Sequence, residues 1–355
     1  MNKKIYTNEN CVGCYLCIAN CACDGVNEAE KDGDTHIVNV DEDKCILCGE
    51  CVRNCEFEAR DYYDDTEAFI RDLERGEKIP VIAAPALRSN IEDWPRLLGW
   101  LKSIGAPAVY DASFGADICT WAYYRYITDN DATGLISQPC PAIVNYVEKY
   151  IPELLTRLAP IHSPTMCTAV YMDTYKNIQG PYAFISPCIA KHDEFSDPNT
   201  GGLIKYNVTY KKLLEYLKAR DIDYKKSLPA DFDNEKHGLG SIFSSPGGLR
   251  VNAEQYIKNG WIVQIEGEPS AYKFLDEYAK ENSDDVPLLV DILNCQYGCN
   301  IGTASLCSPR DEYKVEKTMN SVQTETSDTL SEDFDKTLRL SDFVRKYTAK
   351  PAATG

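Results

Sequence analysis

Apolar residues in this chain recur in two periods, and their alternation predicts the architecture. Short unbroken apolar runs, IPVIAAPAL at 79–87, PAVYDASF at 107–114, TGLISQPCP at 133–141, YAFISPC at 182–188 and PLLVDILNC at 287–295, read as buried strands bounded by Pro or Gly. Between them lie stretches with apolar residues at helical spacing: IEDWPRLLGWLKSIG, ADICTWAYYRYIT, IVNYVEKYIPELLTRL and TYKKLLEYLKARDID. Gly-rich SIFSSPGGL at 241–249 is expected to open a further helix beginning near Val251. Strand and helix in turn imply an α/β fold, a mainly parallel sheet covered by helices, with loops at the carboxyl ends of its strands as the place for a ligand. Ahead of this block, residues 61–77 carry Phe69, Ile70 and Leu73 at helical spacing and stop at Gly76, which predicts a connecting helix.

Composition changes that picture in two respects. The 37 Lys and Arg against 55 Asp and Glu leave a net charge of -18, which argues against nucleic acid or an anionic membrane as partner. Sixteen cysteines among 355 residues exceed ordinary core use, so they imply disulfides or metal. The opening MNKKIYTNENC has no apolar run long enough for a signal peptide or membrane span, and the expectation is a cytoplasmic protein.

The spacing favours metal. Cys11, Cys14, Cys17 and Cys21 repeat as Cys45, Cys48, Cys51 and Cys55, two copies of the bacterial ferredoxin run. Three close thiolates wrap one cubane and the fourth comes from the other run, so Cys11, Cys14, Cys17 and Cys55 form one 4Fe-4S ligand set and Cys45, Cys48, Cys51 and Cys21 the second. Zinc knuckles or a disulfide knot are the competing uses of eight such cysteines. Ala22 and Glu56 replace the Pro that commonly follows each fourth cysteine, and Cys23 competes with Cys21. Four later cysteines fall on three strand-end loops: Cys140 in ISQPCP, Cys188 in FISPCIAK, and Cys295 with Cys299 in NCQYGCNIG. Together they suffice for one more cluster, although a lone cysteine in any of these loops is more often a small buried apolar residue.

From about residue 79 to 302 the chain resembles the catalytic domain of iron-iron hydrogenases, whose signature loops match QPCP, SPCIAK and NCQYGCNIG, and whose ferredoxin module matches the first sixty residues. The resemblance implies two lobes, each with a parallel sheet flanked by helices, after a small α+β ferredoxin domain. Between the lobes it implies an H-cluster, a 4Fe-4S cubane joined through a cysteine to a diiron unit bearing CO, CN and a dithiolate. Cys140, Cys188 and Cys295 then map to the cubane, Cys299 to the bridging ligand, and Lys191 to the cation that pairs with a cyanide. Ala84, Pro85, Ala86, Pro187, Phe243, Pro246, Gly247 and Gly248 map to the diiron pocket. The implied boundaries are 1–64 for the ferredoxin domain, 65–78 for the connecting helix and 79–318 for the two-lobed domain. Residues 319–355 read as a C-terminal helix and polar tail, a truncated linker.

The chain departs from efficient members along the proton path. Pro139 stands where a relay cysteine is usual, Tyr123 and Tyr126 at two acidic positions, and Ala159 at a serine, a pattern similar to the sensory branch of the family. The resemblance therefore implies slow interconversion of H2 with protons and electrons and a role in sensing H2. A ferredoxin-like carrier or signalling protein is the expected redox partner. An ordinary ferredoxin-linked hydrogenase with another proton route, and an iron-sulfur protein lacking the diiron unit, are the alternatives. Met166, Cys119, Cys167 and Cys307 are expected as buried residues without a ligand role, and Glu194 as a solvated charge.

Overall fold

The computed structural model describes residues 4–32, 35–281, 285–323 and 330–352. The N-terminal module pairs β1 (Ile5–Thr7) with β4 (Arg60–Tyr62), antiparallel, and β2 (Asn27–Asp32) with β3 (Thr35–Val40) in a hairpin. The internal repeat is also a repeat of backbone conformation. Gly13 and Leu47, two residues into each cysteine run, and Tyr15 and Gly49, four residues in, all have positive φ. Left-handed residues on both sides of the middle cysteine curl each loop around a centre, and two of the four positions hold them without glycine.

Two parallel sheets follow. One has the order β6 (Val109–Asp111), β5 (Val81–Ala83), β8 (Tyr182–Ser186), β9 (Ile204–Thr209); the other has β10 (Ile262–Glu266), β11 (Leu289–Leu293), β7 (Leu135–Ile136). Every residue of β5, β6, β8 and β11 is buried, as strands covered on both faces must be. The predicted α/β architecture with flanking helices is thus the observed one. Strand lengths are shorter than the apolar runs, because the run ends leave the sheets as turns, into the cysteine loops after β7, β8 and β11 and into helices after β5 and β6.

Two expectations change. The stretch 61–77 is not one helix: its first residues complete β4, and the helix is Thr66–Glu74. Phe69 lies 5.8 Å from the ring of Tyr206 on β9, and Asp72 accepts the Tyr206 hydroxyl at 2.7 Å, so the helix is a layer on the sheet. The tail is likewise no linker. Phe343 is fully buried, stacked on Tyr175 at 6.1 Å and edge-on to Trp121 at 6.2 Å, while Val344 bridges Ile161. Burying one Phe is worth about 1.5–3 kcal/mol, enough to dock so short a segment. No helix among the described residues is long and apolar enough to cross a membrane.

Candidate metal centre

The two N-terminal ligand sets are brought together in the crossed arrangement. Cys11, Cys14, Cys17 and Cys55 line one small cavity of about 20 Å³; Cys21, Cys45, Cys48 and Cys51 line another of about 20 Å³, with Cys23 as a fifth cysteine on its wall. Among the described residues no three Cys, His, Asp or Glu side chains converge as a single ion requires. Tetrahedral zinc, with Zn–S near 2.3 Å, needs that convergence, whereas thiols spaced around a gap suit a multi-atom cluster. Burial pushes the Cys45 thiol up to about 11 and Cys51 to about 12, so their thiolates call for a bound cation. Sequence reasoning missed Arg60. It is buried, and its Nη2 donates to Cys17 Sγ at 3.4 Å and to Asn27 at 2.7 Å, while Nη1 has no protein partner.

The second of these cavities abuts the two-lobed domain. Gly49 packs so closely that a Cβ there would meet the Thr303 side chain at 2.6 Å. Lys149 donates to the Cys45 carbonyl and Tyr150 to the Lys44 carbonyl, both at 2.6 Å, and Asn145 donates to the Ile46 carbonyl at 3.1 Å. Glu50 accepts from Asn294 at 3.4 Å, the residue before Cys295. The three cysteine cavities therefore form a series, with the Cys14 side exposed and the Cys48 side facing inward.

The third cavity, about 80 Å³, lies at the carboxyl ends of both sheets. Ala84 and Pro85 reach it from β5, Ala112 from β6, Pro139 and Cys140 from β7, Pro187 and Cys188 from β8, and Leu293 and Cys295 from β11. Cys299 completes the wall. It is placed by Gly298, whose φ of 67° and approach to Ser244 O, 2.5 Å from where a Cβ would stand, exclude a side chain. Cys299 N donates to that same carbonyl at 2.8 Å. Asn300 then ties the loops together, its Oδ1 accepting from Ser89 at 3.2 Å and Ser244 at 3.1 Å; nothing in the sequence singled it out. Burial raises all four thiols, Cys188 to about 11 and Cys299 to about 12.

The remaining candidates divide. Phe243 and Pro187 stand on the wall with Ser244, Pro164 and Thr165, which were not anticipated. Ala86, Pro246, Gly247 and Gly248 do not. Ala86 is buried behind Pro85 with its carbonyl taken by Ser89 and Asn90, Gly247 N donates to Glu266, and Pro246 faces an outer groove. Each loop meets the cavity over only one or two residues, Ala84 and Pro85 in one and Phe243 and Ser244 in the other, a detail that a linear motif does not carry.

Lys191 lines the cavity, 7% exposed, with its ammonium on the Glu194 carboxylate and 3.2 Å from Ser163 Oγ. Glu194 is no solvated charge: it is 2% exposed, and although desolvation would raise its pKa, Lys191 and Arg345 hold it below the usual range. Four soft donors around a mainly apolar cavity with one cation at its edge suit an iron-sulfur cluster and an anionic ligand beside it.

Along the expected proton path the structure offers little. Tyr123 is wholly buried, accepts the Gln138 N–H at 3.2 Å, and is pushed well above the phenol range by burial. The Ala159 carbonyl accepts from Tyr347 at 3.0 Å. Cys119 and Cys167 both donate to His162 O at 3.3 Å, off the cavity wall, and Cys307 donates to Ser89 O. Burial and then the nearby Arg345 lower His162 to about 4, which leaves it neutral.

Comparison with known proteins follows the same outline. The family described as "Iron only hydrogenase large subunit, C-terminal domain" matches residues 77–303, and a "4Fe-4S binding domain" matches 37–59. The chain is 25% identical to iron hydrogenase 1 of Clostridium pasteurianum, over 64% of this chain and 53% of that protein. It is 26% identical to the periplasmic Fe hydrogenase large subunit of Nitratidesulfovibrio vulgaris, over 62% of this chain and 68% of that protein. It thus spans about half the length of the clostridial relative. Among solved structures, a variant of the FeFe-hydrogenase HydA1 from Chlamydomonas reinhardtii superposes with a TM-score of 0.64 at 15% identity, covering 81% of this chain and 100% of that one. A HydA(deltaEFG) structure revealing stepwise H-cluster assembly gives 0.63 at 16%, with the same coverage.

Proposed function

The chain belongs to the iron-only hydrogenase family, whose catalytic domain it carries, and from that premise we propose that it binds an H-cluster and interconverts H2 with two protons and two electrons slowly, as an H2 sensor. The observation that carries this is the third cavity: four cysteines from three strand-end loops with Lys191 on the same wall. In this reading Cys140, Cys188 and Cys295 hold a cubane, and Cys299 joins it to a diiron unit that supplies the H2 chemistry when bound.

The chain's own residues do the rest. Lys191 offers an ammonium to an anionic ligand of the diiron unit, a charge-assisted contact worth about 1.5–3 kcal/mol away from water. Phe243, Pro85 and Pro187 exclude water from that side of the cavity. Electrons pass along the two N-terminal clusters, held by Cys45, Cys48, Cys51 and Cys21 on the inner side and by Cys11, Cys14, Cys17 and Cys55 on the outer, to a redox partner in the cytoplasm. The Pro139 ring on the cavity wall cannot relay a proton, and the nearby Tyr123 phenol is held well above its usual range by burial, which supports slow turnover and a sensing role.

Anaerobic reconstitution tests the cluster assignment: iron should reach about twelve per chain, from three cubanes. Infrared spectra after maturation with the diiron unit should then show CO and CN bands. Iron near eight with Cys140, Cys188, Cys295 and Cys299 all open to alkylation would remove the third cluster; full iron without such bands would leave an iron-sulfur protein lacking the diiron half.

A further inference from the structure

The C-terminal strap reaches the electrostatics of the third cavity. Arg345 is 3% exposed, with Nη1 3.6 Å from Glu194 Oε1 and Nη2 2.9 Å from Asp197 Oδ2. Lys350 binds the same Asp197 oxygen at 3.1 Å and Glu148 at 2.8 Å. With Lys191 on the other oxygen of Glu194, cations and anions alternate from the cavity wall to the surface: Lys191, Glu194, Arg345, Asp197, Lys350, Glu148. The backbone secures this order, since Arg345 N donates to Pro160 O and Lys350 N to Glu148 O.

One link in this series is incomplete. Glu194 Oε1 and Arg345 Nε are both buried and neither has a hydrogen-bond partner, although their side chains lie within ion-pair distance. Such idle groups cost free energy where they are and favour any rearrangement that joins them. Lys191 meanwhile cannot give its full charge to the cavity while Glu194 neutralises it.

We propose that Arg345 is a positioning residue for the diiron half of the centre: it closes onto Glu194 when Lys191 turns to the cofactor, so that Lys191 can serve an anionic ligand without leaving a buried carboxylate unpaired. This rests on the assignment of Lys191 to the diiron unit made above. The strap thereby becomes part of the cofactor site, and the coupling is reciprocal, with cofactor insertion tightening the strap and a docked strap favouring insertion.

The test uses the full chain matured with the diiron unit, with occupancy read from the CO and CN infrared bands against the EPR of the N-terminal clusters. Arg345→Met should lower diiron occupancy about tenfold or more, with cubane iron and the N-terminal spectra unchanged, and Arg345→Lys should restore part of it. In a Lys191→Met background the Arg345→Met change should add nothing further, because it acts through Lys191. Parent-like bands and occupancy in Arg345→Met, or full additivity with Lys191→Met, would overturn the proposal. Hydrogen exchange on the unmutated protein is independent of how the variants fold: the amides of Arg345 and Lys350 should exchange more slowly after cofactor insertion, and unchanged rates would count against the coupling. A parent without CO and CN bands would instead bring down the diiron reading itself.

Discussion

Removing the Arg60 charge should lower the midpoint potential of the outer N-terminal cluster. The guanidinium is buried, donates to Cys17 Sγ at 3.4 Å, and keeps Nη1 free of protein partners on the wall of the cavity that would hold the cluster. Reduction adds one negative charge to a cluster, so a nearby cation stabilises the reduced form and raises the potential. With the charge centre about 6 Å from the cluster and an effective dielectric of about 20, the interaction is about 2.8 kcal/mol. For one electron, about 1.4 kcal/mol corresponds to roughly 59 mV, which makes about 120 mV. The exposure of Cys14 admits water on the far side and reduces this to about 60–120 mV. Arg60→Gln should therefore shift one cluster down by that amount in an EPR-monitored redox titration. Arg60→Lys should keep most of the original value, and the inner cluster should move by less than half as much. A shift within about 10 mV of zero, a positive shift, or equal shifts for Gln and Lys would refute the electrostatic reasoning; the last would point to lost packing against Asn27 instead.

Three further outcomes are expected. Cys299→Ser should leave the N-terminal EPR signals unchanged and abolish CO and CN bands, whereas surviving bands would reassign the bridging ligand. Restoring Pro139→Cys, Tyr123→Glu, Tyr126→Glu or Ala159→Ser singly should change H2 evolution per intact cofactor little. All four together should raise it beyond the product of the single effects, toward the 10²–10⁴-fold typical of a positioned proton donor, and a parent already as fast as efficient hydrogenases would contradict the sensing assignment. Phe343→Ala, which empties the contact with Tyr175 and Trp121, should cost about 3–5 kcal/mol in denaturant unfolding of the third-cavity domain, and a cost below about 1 kcal/mol would show that the strap is only loosely docked.

Cysteine spacing and apolar runs were enough to anticipate the ferredoxin-type module, the parallel sheets, and the strand-end position of Cys140, Cys188, Cys295 and Cys299. Both signals are local: a cluster-binding loop must place its thiols within a few residues of one another, and a strand buried on both faces must be apolar throughout. Even the crossed ligand sets follow from how far a short loop can reach. What the linear pattern could not carry is direction. Ala86, Pro246, Gly247 and Gly248 belong to the right loops but do not line the cavity, because which residues of a loop reach a site depends on the turn its neighbours impose. Arg60 and Arg345 lie in no motif and Asn300 is an unremarked member of one, and each matters through a partner distant in sequence: Cys17, Glu194 and Ser89 respectively. The tail shows the same division most plainly. Its polar composition reads as solvent-exposed chain, yet Arg345 is buried and the more exposed Lys350 is paired, because acidic partners 148 to 202 residues away await them. Charge is legible in a sequence; whether a charge is solvated or paired is decided only when the chain folds and brings its counter-charge within reach.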